Sequence, residues 1–208
     1  MHFIDLFAGC GGLSLGLLQA GLTGTFAIEK NPDAFKSLKF NLIDGTSSKQ
    51  YQWNQQDLPI QPYDIHNLIL EKSHLLAELG RTKSIDLIAG GPPCQGFSPA
   101  GRRDPNDPRS TLVYDYLNVV SLVRPKIILM ENVKGITYKI KDQPATANSI
   151  KSNLAELGYL PITFIEDSSV WGVPQHRIRF ILFGINIEEI IGVNPSLSKK
   201  QILEFSKK

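Results

Sequence analysis

Two apolar, strand-like runs near the end of the chain, residues 161–166 and 177–183, are joined only by residues 167–176. A parallel crossover needs about a dozen residues or more, usually including a helix. This link is short and interrupted by Gly172 and Pro174. The last strand is therefore expected to run antiparallel to its neighbour. The rest of the chain alternates short apolar runs with helical periodicity, the pattern of an α/β sheet. The expected fold is a doubly wound α/β sheet with one antiparallel strand near its end, which is not the plain dinucleotide-binding arrangement.

Residues 4–8 read as the first strand, broken by Gly9 to Gly12, and residues 13–20 as a helix stopped at Gly21. Residues 25–29 form a second strand. Asn31 and Pro32 then supply an N-cap and a first-turn proline for a helix reaching about Phe40. Residues 52–58 read as a third strand, 63–79 as a helix capped near Gly80, and 85–89 as a clear strand. A polar stretch over residues 100–109 reads as exposed and mobile. Beyond it come a helix over 112–124, ended before Pro125, a strand over 126–132, and a helix over 147–157 stopped by Gly158.

Composition narrows the function. The 208 residues suit one α/β domain, with or without a small appendage. The formal net charge is only +2, so a nucleic-acid role has to come from a local site rather than from bulk charge. Cys10 and Cys94 are too far apart for a disulfide framework or a metal cluster, and point to a reducing, intracellular setting. His2, His66 and His74 have no partners at ligand spacing, so no metal is expected. The first residues carry no signal-peptide pattern, and no run approaches the roughly 20 apolar residues of a membrane helix.

Four local patterns carry chemistry. Phe7-Ala8-Gly9-Cys10-Gly11-Gly12 is a Gly-rich strand-to-helix turn that lets a cofactor approach the backbone and a helix N-terminus. It is neither a G-x-G-x-x-G fingerprint, since Ser14 stands where the last Gly would be, nor a P-loop. Alone it weighs evenly against a plain tight turn, and Cys10 reads as a small packing residue. Glu29 ends the second strand, where doubly wound sheets place an acid for ribose hydroxyls. Asp57 ends the third run, where it could meet an adenine amino group, although Asp before Leu-Pro is also a common loop residue.

Pro92-Pro93-Cys94-Gln95-Gly96-Phe97-Ser98 is the most specific pattern. It puts a thiol at the carboxyl edge of the sheet, where ligands bind and a thiolate can act as nucleophile. Glu131-Asn132-Val133 follows the apolar strand 127–130. A carboxylic acid facing a dry pocket there has a raised pKa and can donate a proton; the bland alternative is a solvated strand-end Glu. In Gln175-His176-Arg177-Ile178-Arg179-Phe180, period two puts Gln175, Arg177 and Arg179 on one face and His176 on the apolar side, as a structural residue.

In this order the patterns resemble the DNA cytosine-5 methyltransferase family, from the first strand to about Phe183. The resemblance implies the doubly wound sheet of S-adenosylmethionine-dependent methyltransferases. It implies S-adenosyl-L-methionine held by Phe7, Gly9, Gly11, Gly12, Glu29, Asp57 and Pro93, with Phe7 against the cofactor. Cys94 would add to C6 of a flipped-out cytosine, Glu131 would hold or protonate N3, and Arg179 with Arg177 would bind the base or an adjoining phosphate. C5 would then take the methyl group, and loss of its proton would release Cys94 by β-elimination. Gln95, Ser98, Arg102, Arg103, Arg109 and Gln175 would touch double-stranded DNA, with residues 98–111 as a closing loop.

The resemblance stops at the C-terminus. A full-length member continues into a target-recognition region and a final segment that completes the cofactor pocket, and residues 186–208 match neither. The expected division is a catalytic and cofactor-binding domain over 1–185 with an extension over 186–208. The chain is then either a truncated piece or one subunit of a split enzyme whose second polypeptide carries the rest. Two rivals stay open. One is an enzyme of the same fold acting on tRNA cytosine, against which Gln95-Gly96-Phe97-Ser98 weighs. The other is a non-catalytic relative that binds DNA or cofactor, against which Cys94, Glu131 and Arg179 together weigh. Family frequency points to bacterial restriction–modification, in the cytoplasm on the nucleoid.

Overall fold

All but one of the runs marked as strands are strands in the computed structural model, which describes residues 1–45, 51–93, 112–138 and 145–205. The chain divides into two compact units: Met1–Gly91 with Asn118–Pro125, and Pro92–Leu117 with Lys126–Lys208.

In the first unit β1 (His2–Leu6) lies between β2 (Thr23–Ile28) and β3 (Leu87–Gly90), all parallel. β1 is buried from Phe3 onward and β3 throughout, as strands covered on both faces must be. Leu6 is in register with both Ile28 and Gly90. The three carboxyl ends are therefore level, and Phe7 and Glu29 leave the strands along one edge. α1 (Gly12–Gln19) follows the turn and stops before Gly21, whose φ of 91° suits glycine. α2 (Pro32–Leu38) starts as its sequence dictates, with the Asn31 side chain accepting the amides of Asp33 and Ala34 and Pro32 in the first turn. Beyond Leu38 the helix widens into one π turn, Lys39–Ile43.

Three expectations in this unit are corrected. Residues 52–58 form no strand. Gln52 makes a single ladder-like bond, its amide to the Gly24 carbonyl at 2.7 Å. The Asn54 side chain then takes the Gln56 amide, and the Asn54 carbonyl takes the amides of Asp57 and Leu58, which curls the chain into a turn. The helix expected over 63–79 is two, α3 (Ile65–Glu71) and α4 (Ser73–Thr82), parted at Lys72 where φ is −122°. Gly80 lies inside α4 rather than at its cap. A Cβ there would come within 2.4 Å of the Leu122 carbonyl oxygen, at the end of α5 (Leu112–Val123). Gly80→Ala is accordingly expected to destabilise the fold by about 1–3 kcal/mol, although alanine is the better helix former; the midpoint of chemical denaturation checks this.

In the second unit β6 (Ile178–Asn186) lies between β4 (Ile127–Val133) and β5 (Tyr159–Asp167), antiparallel to both. The short link 167–176 therefore does what its length requires, with a single 3-10 turn at Ser168–Trp171. β4 and β6 alternate strictly, with Ile128, Met130, Phe180 and Leu182 buried on one face. α6 (Thr146–Glu156) ends at Gly158 (φ 86°), and α7 (Ile187–Val193) and α8 (Lys199–Phe205) close the described chain. No helix among the described residues is long and apolar enough to cross a membrane.

Candidate cofactor turn and candidate catalytic face

The turn after β1 is unusual from its first residue. Phe7 has φ of 60°, left-handed backbone that costs a bulky side chain about 1–3 kcal/mol and recurs at functional sites. Gly9 also has positive φ, at 56°. Its amide donates to Glu29 Oε2 at 2.9 Å, and Glu29 Oε1 takes the Asn31 amide at 2.7 Å. Glu29 thus braces the turn, and each of its oxygens keeps a further lone pair for a ligand hydroxyl. At Gly9 and Gly12 an added Cβ would meet nothing within 4 Å, so the backbone is open to close approach. Gly11 is there for another reason: its φ is 91° and a Cβ would crowd Leu42 at 2.8 Å. Asp57 is exposed in the turn that replaces the expected strand, its carboxylate taking the Asn54 side-chain amide at 2.9 Å. Cys10, expected to pack, is exposed.

Just below this turn is a buried polar group that sequence reasoning left without a role. Asp5 is 1% exposed, and its carboxyl is raised to about 6, first by burial and last by the nearby charge of Glu29, with the Ser14 hydrogen bonds opposing. One carboxyl oxygen takes the Ser14 hydroxyl; the other, Oδ1, has no hydrogen-bond partner. The sequence signal was a lone Asp in an otherwise apolar strand.

In the second unit, Glu131 on β4 and Arg179 on β6 share the half-exposed face. The register sets Glu131 opposite Ile181, two residues along β6 from Arg179, so the pair is diagonal. Arg179 Nε donates to Glu131 Oε1 at 2.7 Å, with the Glu131 side chain 35% and the Arg179 side chain 20% exposed. Both line an open cavity of about 590 Å³ together with Arg177, Glu166, Trp171 and Phe164. Glu131 is thus ion-paired in an open cavity rather than set in a dry pocket. Of the three residues expected on one face, Arg177 and Arg179 reach the cavity. Gln175 precedes the strand, is exposed, and does not line it. His176 is corrected outright: its ring is exposed and Nδ1 lies 3.1 Å from Asp167 Oδ2. The Ser169 amide, then His176, hold the Asp167 carboxyl well below the usual carboxylate range.

Asn132 is a second residue without an assigned role. It is 3% exposed, and its side-chain amide donates to the Pro92 carbonyl at 2.9 Å, tying down the chain two residues before Cys94. Asn132→Ala should leave that carbonyl unpaired and cost about 1–3 kcal/mol, read as a lower unfolding midpoint. Pro93 is half-buried. Cys94, Gln95, Ser98, Arg102, Arg103 and Arg109 lie outside the described residues.

A Gly-rich turn and a strand-end acid at the carboxyl edge of parallel strands are features of an α/β enzyme that binds a nucleotide-like cofactor. Known proteins agree and go further. The profile of the C-5 cytosine-specific DNA methylase family matches residues 1–208, and the chain belongs to that family. The type II methyltransferase M.DdeI of Desulfomicrobium norvegicum is 36% identical over 205 residues, covering 98% of this chain and 45% of the relative. A solved structure of an E. coli prophage protein, assigned as a DNA modification methyltransferase, superposes with a TM-score of 0.68 at 27% identity, over 91% of this chain and 48% of that one. An S-adenosylmethionine-dependent methyltransferase of Methanosarcina mazei shares the fold at a TM-score of 0.52 and 10% identity, over 89% of this chain and 92% of that one. The chain spans about half the length of the curated relatives it matches first.

Proposed function

We propose that this chain carries the catalytic part of a DNA cytosine-5 methyltransferase, with S-adenosyl-L-methionine as methyl donor and double-stranded DNA as substrate. The observation that carries this reading is the Glu131–Arg179 pair facing an open cavity of about 590 Å³, in a chain whose family acts on cytosine C5. The donor supplies an electrophilic methyl group. Phe7, Gly9, Gly11, Gly12 and Glu29 would hold it: the open positions at Gly9 and Gly12, the spare lone pairs of Glu29 and the unpartnered Asp5 Oδ1 fit such a guest. Asp57 is proposed for the adenine end.

On the base, the Cys94 thiolate would add to C6 while Glu131, in its acid form, hydrogen-bonds or protonates N3 and so neutralises the charge that develops there. Arg179 would keep Glu131 oriented, with Arg177 beside it for the base or a phosphate. After C5 takes the methyl group, its proton leaves and the C6–sulfur bond breaks by β-elimination. The cytosine must leave the helix for any of this to happen. Gln95, Ser98, Arg102, Arg103, Arg109 and Gln175 are proposed to touch DNA.

Residues 1–185 are proposed as the catalytic and cofactor-binding part and 186–208 as an extension toward the remainder of the enzyme. That remainder, on a longer polypeptide or on a second one, would cover the apolar surface left on β5 and the turn after it. Ile162, Ile165 and Val170 are exposed there, on both faces of the strand and outside the cavity lining. The bacterial relatives fit a restriction–modification role in the cytoplasm. Transfer of labelled methyl from S-adenosylmethionine to genomic DNA and to bulk tRNA tests the reading. Label in DNA that Cys94→Ala abolishes supports it. Label in tRNA instead overturns the DNA assignment.

A further inference from the structure

Tyr51 is a buried tyrosine on a segment that makes no sheet, and its position is fixed from several sides. Its ring lies over Gly24, where a Cβ would come within 2.4 Å of it, and stands edge-on to Phe3 at 5.5 Å. Its hydroxyl lies 2.6 Å from Ser14 Oγ, and Ser14, fully buried on α1, donates to the Asp5 carboxyl. When Asp5 is charged the protons can be arranged in only one way. Ser14 must donate to Asp5, so Tyr51 must donate to Ser14. The relay joins three places: the end of β1 two residues before Phe7, the first turn of α1 two residues after Gly12, and the start of the segment that leads to Asp57. Beyond Tyr51 that segment is closed by the Trp53 indole, which donates to the Leu58 carbonyl at 2.8 Å and so frames Asp57.

We propose that Tyr51 and Ser14 are positioning residues, which fix the Asp57-bearing segment to the Gly-rich turn and thereby set affinity for S-adenosylmethionine and its product. This rests on the reading above that the first unit holds that molecule. Protonated Asp5 can itself donate to Ser14, which frees Ser14 to donate to Tyr51 and dissolves the one-way arrangement. The Tyr51 phenol is uncharged and reaches Asp5 through Ser14, so among the described residues Glu29, just past the end of β2, is the charged group that bears on Asp5. Its register partners, Ala27 on β2 and Ala89 on β3, bring none. Burial raises the Asp5 carboxyl to about 6, so the relay has one direction in neutral solution and two competing directions in mild acid.

The test is calorimetric titration of S-adenosylhomocysteine into this chain, from about pH 5 to about pH 8, for the parent, Tyr51→Phe and Ser14→Ala. This product lacks the sulfonium charge, so direct attraction between that charge and Asp5 does not enter. Ser14→Ala removes the middle of the relay without touching the aromatic cluster, and serves if Tyr51→Phe does not fold. The parent should bind about tenfold more tightly at the upper end of the range, and both variants should lose that gain and show a flat profile. Equal affinity of parent and variants at every pH overturns the proposal. So does a weakening that is the same at every pH, which makes Tyr51 mere packing. Absence of any binding by the parent, both alone and with the remainder of the enzyme supplied, overturns the cofactor reading itself and the positioning with it.

Discussion

Glu131→Gln is expected to slow methyl transfer to cytosine by about 10²–10⁴-fold, the range over which a positioned acid or base contributes, while leaving the fold nearly intact. The amide has the same shape but carries neither the charge nor an acidic proton, so it forms no ion pair with Arg179, now 2.7 Å away, and cannot protonate N3 as Cys94 adds to C6. Its effect on stability should stay within about 1 kcal/mol, because the pair is partly exposed and such pairs contribute little. Rates under saturating donor and DNA, with thermal unfolding measured on the same samples, separate the two effects. Arg179→Ala should follow the same pattern, since Glu131 would then lose the group that orients it. A variant Glu131→Gln with parental turnover would remove Glu131 from the chemistry.

The second large effect belongs to Asp5. Its folded-state pKa is about 6, against 3.8 for the ordinary group, so the folded chain holds a proton that the unfolded chain has already released. The stability this gives is fully present below about pH 4 and is lost as pH rises through 6. At about 1.4 kcal/mol for each pH unit between those values, the loss comes to about 3 kcal/mol. Other carboxylates slope the opposite way, so the useful quantity is the difference between parent and Asp5→Asn. That difference should move in favour of the variant by about 3 kcal/mol between pH 4 and pH 7 in denaturation series. Parallel curves would show that Asp5 is charged and satisfied when folded.

The sequence made the antiparallel strand legible because chain length alone decided it: residues 167–176 cannot cross a sheet, and β6 runs antiparallel on both sides. The Asn31-Pro32 cap and the stops at Gly21 and Gly158 were legible because such signals act on their own backbone. What failed depended mostly on contacts distant in sequence. Residues 52–58 carry Asn54 and Asp57, which favour turns over strands, and Tyr51 and Trp53 are fixed by rings from β1, β2 and α2 instead of a ladder. Gly80 looked like a cap, and only the Leu122 carbonyl explains it. Strict alternation from Gln175 to Phe180 overreached because β6 begins at Ile178, which leaves His176 outside the pleat. In the candidate sites, residue types and order pointed to Glu29, Glu131 and Arg179. The Asp5–Ser14–Tyr51 relay and the Asn132 tether to Pro92 join residues 37 and 40 positions apart, and no local pattern marks them.

Incubation of this chain with a DNA duplex carrying 5-fluorocytosine and with S-adenosylmethionine tests the central claim most directly. Fluorine at C5 blocks the proton loss that β-elimination needs, so the account predicts a denaturation-resistant protein–DNA adduct that maps to Cys94 and disappears in Cys94→Ala. Methyl transfer to DNA without such an adduct, or with the methyl group on the exocyclic nitrogen of cytosine, would contradict it.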